Sequence, residues 1–224
     1  MFARLVAILI CLWVADPRLG RAEPAGSPVR ELVVYLKTSI SQSAEPVEEM
    51  AHEAEAIMSS AGYTIEWRDL GRSGHDAGDA FLVVIELKGV CEAPEPGAGL
   101  APLMAGTSLA STAVADGKVL PYSQLECGNL SKLIGPSIAS EPTRKREFLY
   151  GRAMGRLVAH ELFHVLIGTR DHDDGGVAKR AFSAKDILAD HFEFEVTSLD
   201  QLRDSGAGGA GSEVLTIDGN PRAR

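Results

Sequence analysis

The longest periodic stretch of the chain, residues 142–167, constrains everything around it. Phe148, Leu149, Met154, Leu157, Val158, Leu162, Val165 and Leu166 recur at helical spacing over a broad surface. A helix apolar on most sides must be buried on most sides, so the remaining elements have to pack around it. Pro142 suits a first turn, and Gly168 suits a left-handed residue that ends the helix and turns the chain back.

This helix carries polar groups that a buried element has to account for. Residues 160–172 read HELFHVLIGTRDH. His160 and His164 stand at i and i+4, within about 40° of each other around the axis, so both imidazoles leave one face one turn apart. That spacing presents two nitrogens to one ion at roughly 2.0–2.1 Å. Glu161 points about 100° away, poorly placed as a ligand but well placed to take a proton from water activated by the ion. This is the logic of HExxH. The alternative is a pair of solvated histidines, and the apolar surroundings oppose it. A catalytic zinc takes a third protein ligand and keeps one position open. His172, four residues beyond Gly168, is the first candidate; Glu193, Glu195 and His191 are rivals further along the chain. Asp171, Asp173 and Asp174 are candidates to orient the imidazoles. His52 and His75 read as surface residues.

The elements before the helix read β-α-β-β. Residues 31–36 form a β-branched run. Val47, Met50, Ala54, Ile57, Met58 and Ala61 recur at helical spacing, with Ser43 as cap and Gly62 at the C-terminal end. Tyr63, Ile65 and Trp67 alternate with polar residues, and residues 80–88 are an almost continuous apolar run. Residues 92–117, rich in Gly, Pro, Ala and Ser, predict a long surface loop. Residues 118–127 predict a strand that Pro121 forces to an edge. A short helix capped by Ser183 follows, HFEFE at residues 191–195 suggests a strand, and residues 204–224 predict a loose tail. The expectation is one α+β domain over residues 23–203, with a mixed or mostly parallel sheet packed on the long helix.

Charge and cysteines bound the setting. A formal net charge of −9 argues against a nucleic-acid partner or an anionic membrane surface. Arg144, Lys145 and Arg146 are the one dense basic run and read as a solvated first turn. Arg4, the apolar residues 5–15 and the small residues Gly20 and Ala22 predict an export signal cleaved after Ala22, too short to serve as a membrane anchor. Cys91 and Cys127 would remain, and export favours their pairing over two buried thiols. No CxxC spacing points to a metal role for them.

The motif resembles the zincin metallopeptidases, and within them the metzincin type marked by HExxHxxGxxH, a β-α-β-β start and an edge strand that binds extended substrate. The chain departs from it: Gly168 and His172 stand four and eight residues after His164, and no methionine follows Met154. Ala178, in GGVAKRAF, falls where the methionine of the family's turn is expected. The stretch also resembles a group of exported bacterial zincin-like proteins with GxC and DGxxLP segments, as at residues 89–91 and 116–121. The resemblance implies one zinc ion held by His160, His164 and His172, Glu161 as general base, and a peptide or protein substrate lying along an edge strand, for which residues 118–126 are the candidate. A zinc-stabilised binding protein without turnover is the alternative from another class.

Overall fold

The computed structural model describes residues 29–70 and 81–205; the expected signal segment, His75 and residues 206–224 lie outside the described residues. The elements are β1 (Arg30–Thr38), α1 (Ala44–Ser60), β2 (Tyr63–Asp69), β3 (Phe81–Lys88), β4 (Ala110–Ala115), β5 (Lys118–Glu126), α2 (Cys127–Ile138), α3 (Thr143–Ile167), α4 (Ala184–Ile187) and α5 (Val196–Ser205). This is an α+β fold with a mixed sheet of five strands among the described residues, in the order β2-β1-β3-β5-β4. β1 pairs in parallel with β2 and β3, β3 pairs in parallel with β5, and β4 runs antiparallel to β5.

The core lies between one face of the sheet and the helices. Leu32, Val34, Val83, Ile85, Leu87 and Leu125 face Met50, Met58, Met154, Val158 and Leu162 in one buried cluster. Alternation along β1 and β3 sends every second side chain to this cluster, as a strand's period of two requires. α3 is buried from Tyr150 to Val165 with the exception of Arg152. Its length and apolar breadth are what allow it to cross the whole layer.

α1 and α3 approach closely because α3 presents Gly151 and Gly155 to it. A Cβ on Gly155 would lie 2.5 Å from the Met50 carbonyl oxygen, and one on Gly151 would lie 2.6 Å from that of Pro46. Alanine favours a helix over glycine by about 1 kcal/mol, yet here its methyl meets backbone that cannot swing away. Gly155→Ala is therefore expected to lower stability by about 1–3 kcal/mol, as overpacking does. Denaturant unfolding checks the value; an unchanged or raised midpoint would contradict this packing.

Several sequence expectations are corrected. The 92–117 segment contains β4, so β5 is not the edge strand. Pro121 is tolerated inside the sheet because the β3 ladder begins only at Tyr122, and the β4 register shifts between Thr112 and Val114 opposite it. Residues 191–195 form no strand; the Glu193 carbonyl accepts a hydrogen bond from the Val177 amide at 2.9 Å, and Phe194 is buried. Ser43 makes no side-chain cap to α1, its hydroxyl meeting Glu92 at 3.2 Å instead. Arg146 is buried, not solvated: it donates to Glu95 and to the Glu141 carbonyl, both at 3.1 Å, and so ties the loop after β3 to the start of α3. Residues 204 and 205 belong to α5. Cys91 and Cys127 stand as a disulfide pair with Cα atoms 5.0 Å apart, joining the loop just after β3 to the first residue of α2.

Candidate metal centre

α3 delivers His160, Glu161 and His164 from its last two turns, where all three are buried. Gly168 then adopts φ 70° and ends the helix, its amide donating to the His164 carbonyl at 2.9 Å. The reversal brings His172 back over the helix. One ring nitrogen from each of His160, His164 and His172 lies within 4.8 Å of the others, and this group could hold a metal ion. Glu193, Glu195 and His191 are not in the group; they border a separate cavity with Gly175 and Gly176.

Backbone carbonyls fix the rings. His160 Nδ1 lies 2.7 Å from the Val177 carbonyl oxygen, and His164 Nδ1 lies 3.0 Å from that of Thr169. A carbonyl only accepts, so each Nδ1 carries the proton and each Nε2 carries a bare lone pair. The two Nε2 atoms face each other at 3.1 Å. Two lone pairs at that distance repel unless a cation lies against both. His172 adds a buried Nδ1 with no hydrogen-bond partner among the described residues. The donor set, three imidazoles with two tautomers already fixed, fits a divalent ion of the zinc type. The nearby aspartates do not do the orienting: Asp171 accepts from the Thr169 hydroxyl, and Asp173 accepts from Thr197 and Ser198 of α5.

Burial also sets protonation. It lowers His160 and His164 from 6.5 to about 4, the Val177 and Thr169 carbonyls opposing it only in part. Both are neutral near pH 7, the form that binds metal. Burial is the largest cause for His172 as well, followed by the charge of Arg180, and both lower it. Burial raises Glu161 from 4.5 to about 7, against a hydrogen bond from Thr112. A carboxyl there exchanges a proton near neutral pH.

Thr112 is the residue sequence reasoning missed. Its hydroxyl lies 2.6 Å from Glu161 Oε2 and 2.8 Å from the Ser123 hydroxyl, so β4 and β5 reach the carboxylate in series. The one signal available was Thr112 and Val114 alternating in ASTAVA, hidden in a glycine- and proline-rich stretch. The three histidines, Glu161 and β4 border a cleft of about 670 Å³.

The loop 173–178 is the wall behind His160. Gly176 has φ 62° and passes hard against the Glu193 backbone, and Ala178 is fully buried. Gly176→Ala would strain the left-handed turn and push aside the Val177 carbonyl that orients His160. For an ion held by the three histidines, the expected result is binding weaker by ~10–100-fold, read with added zinc in competition with a chelator. Unchanged affinity would mean that this carbonyl has no part in the site.

The fold and the site together define an α+β protein with a cluster of three histidines able to hold a metal ion beside a buried carboxylate. The chain matches no protein-family model, no curated protein and no solved structure.

Proposed function

We propose that this chain is a zinc-dependent, zincin-like hydrolase of peptide bonds, acting outside the cytoplasm. The observation that carries the reading is the facing pair of unprotonated nitrogens, 3.1 Å apart, one residue from a buried carboxylate that titrates near 7. His160, His164 and His172 would hold the ion. When bound, a divalent cation supplies Lewis acidity toward water and a substrate carbonyl.

The chain's own groups do the rest. Glu161 takes the proton from the attacking water and passes it to the departing amine. Thr112 holds Glu161 Oε2 in place at 2.6 Å, leaving the other oxygen for that water. Among the described residues β4 is an edge strand along the cleft, and an extended peptide can add to it as a further strand. Residues 110–115 take the role expected of residues 118–126. The disulfide pair Cys91–Cys127 is consistent with an oxidising compartment, and among the described residues no helix is long and apolar enough to cross a membrane.

Thr112→Val removes a hydrogen bond that favours the Glu161 anion. The acidic limb of the rate profile should therefore move to higher pH, while the bound zinc stays. An unmoved limb would detach Thr112 from the reaction. The reading as a whole is tested by incubating zinc-loaded protein with unfolded casein and sequencing the fragments. Cleavage abolished by chelation and restored by zinc supports it; intact casein beside full zinc occupancy favours a binding protein.

A further inference from the structure

Arg180 stands where two cavities meet. It borders the cleft of about 670 Å³ and a second cavity of about 150 Å³, and both cavities are also bordered by His160 and Glu161. The smaller cavity has a mixed lining, with Leu103, Leu109, Leu157 and Phe182 beside Thr107 and Ser108. Nothing polar in the fold uses the Arg180 guanidinium: it is exposed and makes no hydrogen bond or ion pair among the described residues. The adjacent Lys179 and three arginines elsewhere in the fold are engaged. Lys179 holds Asp186 at 3.1 Å, Arg146 holds Glu95, and Arg152 and Arg156 both hold Glu53. In a chain of net charge −9, a guanidinium beside the site with no partner among the described residues is a place for a negative group from outside.

We propose that Arg180 reads a substrate carboxylate next to the scissile bond, while the smaller cavity seats an adjacent apolar side chain. The planar fork of a guanidinium matches a carboxylate through two parallel hydrogen bonds, and among the described residues no acceptor is bonded to it. A cavity of about 150 Å³ has room for one branched or aromatic side chain, which Leu103, Leu109, Leu157 and Phe182 would contact. Arg170, also exposed and on the rim of the larger cleft, adds a second positive charge that draws acidic peptides in. The carboxylate has two sources, an Asp or Glu side chain or a peptide's C-terminus. This proposal rests on the hydrolase reading above.

The test uses fluorescent peptide pairs that differ only in Asp against Asn or Glu against Gln at positions flanking a leucine or phenylalanine, each with a free or an amidated C-terminus. Binding is measured on zinc-loaded Glu161→Gln protein by anisotropy, and cleavage on zinc-loaded wild type, each with and without Arg180→Ala. The expected result is tighter binding and faster cleavage of carboxylate-bearing peptides by ~10–100-fold, from charge-assisted hydrogen bonds. In Arg180→Ala that ratio should fall toward one, and Arg180→Glu should reverse it in favour of the Asn and Gln peptides. A preference that survives amidation assigns the side-chain carboxylate; one lost on amidation assigns the terminus. Equal binding of acid and amide peptides overturns the proposal. So does an Arg180→Ala protein that slows both alike, since the guanidinium would then act on the reacting carbonyl. Discrimination in binding without any cleavage by wild type would keep the Arg180 assignment and remove the hydrolase reading.

Discussion

On the proposed hydrolase reading, Glu161→Gln is expected to lower peptide hydrolysis by ~10²–10⁴-fold and leave added zinc bound, the range set by loss of a general base. The carboxylate stands outside the set of three imidazoles, so the amide removes no ligand. The change is nearly isosteric, and the amide oxygen can still accept from the Thr112 hydroxyl. What disappears is the ability to take a proton near pH 7. Burial already opposes the Glu161 charge, so a neutral amide at that position should not destabilise the fold. Unfolding and metal content, measured beside the rate, separate a lost base from a lost site. Unchanged hydrolysis at full zinc content would remove Glu161 from the chemistry.

The second large effect is on the chelated protein, whose stability should peak near pH 6.5 and fall steeply toward pH 4. His160 and His164 have native pKa values lowered to about 4 against 6.5 when unfolded. Below 6.5 the unfolded chain binds protons that the native rings refuse, so stability is lost as pH falls toward 4. Glu161 works the other way: its native value of about 7 against 4.5 weakens the fold as pH rises between these values. Two histidines outweigh one glutamate below 6.5, and the net loss by pH 4 is on the order of several kcal/mol. Above 6.5 only the glutamate acts, and the curve turns gently down. His160→Phe should flatten the acid side in chelated protein. A chelated protein equally stable at pH 4.5 and 6.5 would contradict the burial of these rings.

The site was legible because its geometry is local. An i, i+4 pair on one helix and a ligand just past a helix-ending glycine depend on few residues, and His160, His164 and Gly168 state them directly. Helical and strand periods likewise marked α1, α3 and the first three strands. The sheet edge was not legible. β4 is made of small residues within a stretch whose glycines and prolines suggest a loop, and its pairing with β5 places Thr112 on a carboxylate far along the chain. Pro121 misled for a related reason: a missing N–H is harmless where both ladders are already broken. α2 was hidden by Gly135 and Pro136, although Leu130, Ile134 and Ile138 keep helical spacing and are buried. The orienters were missed because they are main-chain carbonyls, which carry no sequence signal at all.

The most direct measurement is zinc content and affinity of the purified protein beside His172→Ala. Among the described residues the buried Nδ1 of His172 makes no hydrogen bond, so its removal should leave the fold intact and affect the ion alone. One zinc per chain in the wild type, lost or weakened by orders of magnitude in His172→Ala, is the predicted result. Full zinc retention in His172→Ala, or a wild type that takes up no zinc at neutral pH, would contradict the three-histidine centre.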